Sequence, residues 1–419
     1  MKVYKFGGAS VRSAEGVRNL ARIAGKEGGG MLVIVSAMGK TTNALEKVVA
    51  LSMEGDREGA LAAAAESRAY HASVAGELFA DGRLPERAEG LFGELEGLLA
   101  THTPEESDYD EWYDRIVSYG ELLSTSIISA YMELQGMANR LLDMRRLFVT
   151  DGRHRDADIN LDASTPLLRE AVAGSGLCIG QGFIAGGRDG SVVTLGREGS
   201  DYSAAAAGYM LDAESVTIWK DVDGILNADP KLFPDTVLIP ELTYLDAVEL
   251  AYSGAQVIHP KTIKPLQNKD IKLYVRPFGD DTKPGSVIRG EIARPISIPI
   301  LILRKNQVLV SIRPNDFAFV LEEKFSAIFA LMESCGVKAN LIQSSAVNLS
   351  ICVDRARLLP ELEERLAEEG YRVVYNDNME LLTVRGYTPE LYEKYASAED
   401  VYLVQQTRRT LRIVRKAKD

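Results

Sequence analysis

The sequence predicts an α/β fold: an open, mostly parallel sheet sandwiched by helices, followed by a smaller ferredoxin-like α+β region. Three observations predict it. Residues 31–36, Met-Leu-Val-Ile-Val-Ser, form a continuous apolar run, as a strand buried on both faces requires. Two stretches read as strand, glycine turn and helix start, one over residues 2–10 and one over residues 192–207. Beyond Arg294-Pro295-Ile296-Ser297-Ile298-Pro299 the pattern changes to βαββαβ, the order of a ferredoxin-like module.

The bulk numbers agree with two or three domains. The chain has 419 residues, 46% hydrophobic and 26% charged, so disorder is excluded as its main state. A net charge of −12 argues against nucleic acid or an anionic membrane as partner, yet leaves room for a small anion held by a few local cations. Cys178, Cys335 and Cys352 form no CxxC pair and stand among apolar neighbours, so they read as reduced, buried thiols of a cytoplasmic protein. The four histidines show no ligand spacing, and no resident metal site is expected. Met1-Lys2-Val3-Tyr4-Lys5 opens no signal peptide, and no apolar run approaches a membrane span.

In chain order, residues 2–6 alternate as a strand, and Gly7-Gly8-Ala9-Ser10 precedes a helix carrying Val11, Val17, Leu20 and Ile23. After the apolar strand at 31–36, helices run from about 44 to 135, broken at 82–85 and 101–110. Residues 147–151 read as a strand, 167–173 as a short helix and 177–185 as a buried strand. A hairpin through 186–190 leads to the strand at 192–195 and the alanine-rich helix after it. Strands follow at 215–220, at 271–276, which is expected to close the sheet, and at 285–288, with a helix at 244–253. The second region reads as strands at 308–312, 338–343, 347–353 and 372–375 with helices at 317–334 and 358–369. A shortened repeat of that theme then occupies 381–414. The resulting boundaries are 1–293, 300–378 and 379–419.

Chemistry concentrates at the two glycine turns. Glycine lets backbone approach a ligand closely, and Lys5 stands directly before Gly7-Gly8 as a mobile cation for phosphate. The stretch matches neither a P-loop nor a dinucleotide fingerprint. In Gly196-Arg197-Glu198-Gly199-Ser200-Asp201 the planar fork of Arg197 suits a carboxylate or phosphate, Ser200 can cap the helix, and Asp201 lies in its first turn. An ordinary capped strand–helix turn accounts for the same residues. Glu198 is expected to point to solvent, since it places a negative charge within a turn suited to anions. Glu121 opens an otherwise apolar helix, either for dipole reasons or to face a ligand amine. His259, before a proline, reads as locally hydrogen-bonded rather than catalytic.

Together these segments resemble the aspartate kinases, monofunctional members of the amino-acid-kinase fold with a C-terminal ACT region. Lys5-Phe6-Gly7-Gly8-Ala9-Ser10-Val11 resembles their opening motif. The likeness continues in family order through Val35-Ser36-Ala37-Met38-Gly39-Lys40-Thr41-Thr42, Ser118-Tyr119-Gly120-Glu121 and Gln181-Gly182-Phe183. It runs on through 194–202, Trp219-Lys220-Asp221-Val222-Asp223-Gly224, Ala228-Asp229-Pro230-Lys231 and 254–260. The resemblance implies phosphoryl transfer from ATP, with Mg²⁺, to the β-carboxylate of L-aspartate. It implies that Lys5 holds phosphates and Asp201 orients the cationic and metal environment. Glu121 would take the substrate ammonium and Arg197 its α-carboxylate, while Ser36, Thr42, Phe183 and Ser200 line the aspartate pocket. Lys5, Gly7, Gly8, Ser10, Lys220, Asp221, Leu226, Asp229, Lys231 and Gln256 would line the nucleotide side. The family usually has glycine at Glu198, threonine at Lys220, an aromatic at Leu226, arginine at Lys231 and lysine at Gln256, and Lys220 or Lys231 could restore the lost charge. It also implies a homodimer paired through ACT regions. An amino-acid effector, lysine or threonine, is implied there as well, although Asn340 and Ala346 stand where lysine-inhibited relatives carry acidic residues. A weakly catalytic regulatory homologue, or a kinase of another amino acid or nucleotide on the same fold, is the alternative.

Overall fold

The computed structural model describes residues 1–27, 29–102, 104–255, 258–292, 296–315, 322–355 and 359–417. The chain divides into two units, one of residues 1–225, 238–248 and 257–293, the other of residues 226–237, 249–256 and 294–419. Among the described residues no helix is long and apolar enough to cross a membrane.

The first unit begins with β1 (Lys2–Phe6), α1 (Ala14–Ala24), β2 (Met31–Val35), α2 (Thr41–Met53), α3 (Arg57–Leu78), α4 (Glu86–Thr101), α5 (Tyr109–Val117) and α6 (Tyr119–Leu134). It continues with β3 (Arg140–Leu141), α7 (Met144–Leu147), α8 (Leu161–Val172), β4 (Leu177–Gln181), the hairpin β5 (Ile184–Gly186) and β6 (Val192–Thr194), and α9 (Gly199–Met210). Then come β7 (Ser215–Lys220), β8 (Glu241–Thr243), α10 (Tyr244–Ser253), whose last residues belong to the second unit, α11 (Pro260–Gln267), β9 (Lys272–Pro277) and β10 (Ser286–Arg289).

Eight of these strands form one sheet in the order β3-β4-β2-β1-β7-β9-β10-β8, parallel except for the β9–β10 pair. The central strands are buried along their length: β2 has no residue open to solvent, which is what its unbroken apolar run requires. One core packs Phe6, Val33, Val35 and Trp219 of the sheet against Val17 and Leu20 of α1 and Leu123 and Ile127 of α6. A second joins α2 to α5 through Leu45, Ala64, Leu95, Trp112 and Ile116. Cys178 is buried and unpaired, as the sequence led us to expect.

Several expectations are corrected. Residues 147–151 are not a strand: α7, capped by the Asp143 side chain, ends at Leu147, and only isolated bridges at Val149 and Thr150 follow. The helix expected at 167–173 starts at Leu161, because the Asn160 side chain caps it at Ala163. Strand β9 does not close the sheet, since β10 and β8 extend it.

The second unit contains β11 (Ile300–Pro314), α12 (Glu322–Ser334), β12 (Ala339–Ser344), β13 (Leu349–Asp354), α13 (Leu359–Glu368), β14 (Tyr371–Arg385), α14 (Pro389–Ala396), β15 (Val401–Gln406) and β16 (Thr410–Lys416). They make a six-stranded antiparallel sheet, β12-β13-β11-β14-β16-β15. Its core joins Val308, Val310, Ile351 and Val353 to Ile328, Met332, Leu362 and Leu366 of α12 and α13. The strands expected at 308–312 and 372–375 are the inner parts of two 15-residue strands, and the boundary expected at 378 falls inside β14.

Candidate active site

Parallel register builds the site. Phe6 pairs with Val35 and Trp219, and Val35 with Gln181, so β1, β2, β4 and β7 end in one row. The loops leaving that row carry Gly7-Gly8, Ser36-Ala37, Gly182-Phe183 and Lys220-Asp221. In an open α/β sheet, ligands bind at these carboxyl ends.

At its centre Lys5 Nζ lies 2.6 Å from Asp201 Oδ1, and Lys220 Nζ lies 3.3 Å from Asp201 Oδ2. Lys5 and Asp201 are 8% and 2% exposed. Burial pushes the Asp201 carboxyl up, but the ammonium groups of Lys5 and Lys220 outweigh it and hold it below the usual carboxylate range. The triad therefore carries one net positive charge in a water-poor setting, where a cation acts most strongly on phosphate.

The Gly7–Ser10 turn closes on itself through the Ser10 N–H to Gly7 C=O bond at 3.0 Å. It lies against the loop after β2: the Gly39 N–H reaches the Gly8 C=O at 2.9 Å, and a Cβ on Gly8 would sit 2.5 Å from the Ala37 carbonyl oxygen. From α6, Glu121 reaches the same loop, its Oε1 accepting the Ala37 N–H at 3.1 Å. Its Oε2 is buried without a hydrogen-bond partner among the described residues. Burial pushes this carboxyl up to about 8, opposed by the Ala37 N–H and by Lys5. An unpartnered buried carboxylate oxygen is costly, and a ligand ammonium is the group that would satisfy it.

Across the row, the Gly182-Phe183 loop rests on the start of α9. Phe183 has a left-handed φ of 67°, donates its N–H to Ser203 Oγ at 3.0 Å and accepts the Leu195 N–H at 2.8 Å. A Cβ on Gly182 would sit 2.5 Å from Ser200 Cβ. Ser200 does not cap α9: the residue before the helix is Glu198, with φ 54° and no side-chain cap. Nor does Glu198 simply point to solvent, because its carboxylate accepts the His259 N–H at 3.0 Å, at the start of α11. His259 caps α11 with Nδ1, which accepts the Lys261 N–H at 3.2 Å.

The remaining expected residues fall around this centre. Ser36 and Thr42 are half-buried at the end of β2 and in the first turn of α2. Arg197 is exposed, with no hydrogen bond or ion pair to the described residues, and follows Gly196, whose φ is 72°. Asp221 is exposed and, with Ser10, lines a cavity of about 680 Å³ whose walls include Arg12, Asn19 and Phe278. Leu226, Asp229 and Lys231 belong to the second unit, where the exposed Asp229 accepts the Lys231 N–H at 2.8 Å. Gln256 lies outside the described residues. Sequence reasoning missed Asp114, a fully buried carboxylate on α5 that bonds Thr194 Oγ1 at 2.6 Å and His154 Nδ1 at 2.8 Å. Nothing in an acidic helix start marks it out.

Residues 1–277 match the model of the amino acid kinase family. Aspartokinase 2 of Arabidopsis thaliana, a chloroplastic enzyme, is 32% identical over 387 residues, covering 87% of this chain and 69% of that relative. Two crystal structures of E. coli aspartokinase III, at 26% identity, cover 99% of this chain. One, with aspartate and ADP, superposes with a TM-score of 0.82 over 96% of its own length, and the other, with lysine and aspartate, with 0.79 over 95%. By the family match and by the Arabidopsis relative, this chain belongs to the amino acid kinase family, among the aspartokinases.

Proposed function

We propose that this site transfers the γ-phosphoryl group of ATP to the β-carboxylate of L-aspartate, giving 4-phospho-L-aspartate. The observation that carries the reading is the pairing of a buried Lys5–Asp201–Lys220 cluster with the unpartnered Oε2 of Glu121. Cations for phosphate and a buried carboxyl oxygen open to an ammonium face the same row of strand ends.

The chemistry asks for little else. A carboxylate nucleophile with a pKa of about 4 is ionised at neutral pH, so no general base is needed. What lowers the barrier is positive charge and N–H dipoles around the transferring phosphoryl. Lys5, Lys220 and the Gly7-Gly8 turn supply them. Mg²⁺ enters as part of the substrate MgATP and neutralises phosphate charge. Arg197 clamps the α-carboxylate of aspartate, Glu121 takes its ammonium, and Ser36, Thr42, Phe183 and Ser200 form the pocket wall. Ser10 and Asp221 line the nucleotide side.

The ACT-like region would bind an amino-acid effector and pair two chains. Asn340 donates to Gln307 Oε1 at 2.8 Å and accepts from Arg304 Nη1 at 3.1 Å, so a second ammonium there would meet a guanidinium. That favours threonine, or no effector, over lysine. The test is acyl-phosphate formation trapped as hydroxamate, with and without lysine or threonine. Product dependent on both ATP and aspartate supports the reading; none at millimolar substrate overturns it in favour of a weakly catalytic homologue.

A further inference from the structure

The proposed aspartate clamp, Arg197, stands in the turn between β6 and α9, which the Gly199 N–H closes on the Gly196 C=O at 3.0 Å. Gly196 has φ 72° and Glu198 φ 54°, and Arg197 itself is exposed. The turn also packs against the loop between α7 and α8. A Cβ on Gly196 would lie 2.7 Å from Asp156 Oδ1 and 3.0 Å from the Arg155 carbonyl oxygen, and the Ala157 N–H donates to the Thr194 C=O at 3.0 Å.

One carboxylate ties that loop and that turn together. Asp114 is 0% exposed. Its Oδ1 accepts the Thr194 hydroxyl at 2.6 Å, three residues before Arg197. Its Oδ2 accepts the Arg155 N–H at 3.0 Å and His154 Nδ1–H at 2.8 Å. Arg155 takes a left-handed φ of 63°, a strained conformation that the bond to its N–H helps to hold. The packing of α5 rests on Trp112, Ile116 and Val117, so its fold does not call for a buried charge at 114. A buried carboxylate costs stability unless fully bonded, and the partners it has gained all belong to the support of the Arg197 turn.

We propose that Asp114 is a positioning residue for aspartate binding, fixing the Arg197 turn through Thr194 and the 154–157 loop. This rests on the reading of Arg197 as the clamp on the substrate α-carboxylate.

Steady-state kinetics of the full chain test it. Asp114→Asn should raise KM for aspartate about tenfold and Thr194→Val about threefold, with KM for ATP held within about twofold. Because Asp114 acts through Arg197, the pair Asp114→Asn with Arg197→Ala should raise KM for aspartate no further than Arg197→Ala alone. A purely structural role predicts additive losses and an equal rise in both KM values, and either result overturns the proposal. If Asp114→Asn does not fold, Thr194→Val, which removes one hydroxyl, decides alone. If Arg197→Ala leaves KM for aspartate unchanged, the clamp reading fails and the proposal with it. If Arg197→Ala raises that KM while Thr194→Val and Asp114→Asn do not, only the positioning role fails.

Discussion

Lys5 and Asp201 form an ion pair of 2.6 Å at the end of β1, almost closed off from solvent, and Lys220 holds the other carboxylate oxygen at 3.3 Å. Asp201 thus keeps two ammonium groups together at the proposed phosphate side of the site. Lys5→Ala should lower kcat by about 10²–10³, the loss typical of one transition-state donor. Lys220→Thr should be milder, with KM for ATP raised about three- to tenfold. Hydroxamate assays across an ATP titration check both, and an unchanged KM for ATP in Lys220→Thr would remove that residue from the nucleotide side.

If Glu121 takes the substrate ammonium as proposed, aspartate binding depends on pH. Its folded-state carboxyl is pushed by burial from 4.5 to about 8. Between those values the folded protein holds a proton that the unfolded chain has lost, so the contribution of Glu121 to stability falls as pH rises through that window and is level below it. The full span is on the order of 5 kcal/mol. Glu121→Gln should therefore gain stability relative to the parent between pH 5 and pH 8 in urea unfolding, while raising KM for aspartate more than tenfold. Ammonium binding favours the ionised form, so the parent KM for aspartate should drop from pH 6 to pH 8. Parallel stability profiles for the two proteins would rule out the buried-proton account.

Glu198 sits in left-handed backbone yet bonds the His259 N–H at 3.0 Å. Strain and a helix-start bond of about 1 kcal/mol each oppose one another. Glu198→Gly removes both and should shift stability by less than about 0.5 kcal/mol, whereas Glu198→Ala keeps the strain and loses the bond, costing about 1–2 kcal/mol. Thermal unfolding of the two variants separates them: equal Tm values in Glu198→Gly and Glu198→Ala would mean that the backbone at 198 carries no strain, and a Glu198→Ala Tm equal to the parent's would mean that the bond contributes nothing.

Gly8 has no room for a side chain. Its Cβ would meet the Ala37 carbonyl oxygen at 2.5 Å, a backbone atom that cannot step aside. Gly8→Ala should displace the turn before Ser10 and cut kcat/KM for ATP by about 10²-fold, with KM for aspartate less affected. Full activity in that variant would argue against a phosphate role for the turn.

Much of this was legible in the residues. The unbroken apolar run at 31–36 can only be a strand covered on both faces, and parallel strands of that kind place their ligand loops at one end. The glycine turns therefore mark the candidate site in the sequence itself. What stayed hidden was non-local. The 147–151 stretch is rich in strand formers, but Asp143 starts a helical turn just upstream and leaves Val149 and Thr150 with isolated bridges. The strand expected at 308–312 starts already at Ile300 in β11, which passes through an irregularity in register after Arg304, with Asn306 at φ 55°. Asp114 shows in sequence as one more acid; only the approach of Thr194 and His154 gives it a purpose.

The continuity of β14 has a consequence for how the terminal region can be inherited or engineered. Residues 379–385 pair with 300–307 on one side and with 410–416 on the other. A chain ended at Asn378 would strip Ile300, Leu301 and Ile302 of their hydrogen-bonding partners and leave a long bare edge prone to aggregation. The last forty residues are therefore not an interchangeable cassette. Any recombination that exchanges them must carry a matching β14, cut at the turn before Tyr371, or trade the whole six-stranded sheet at once.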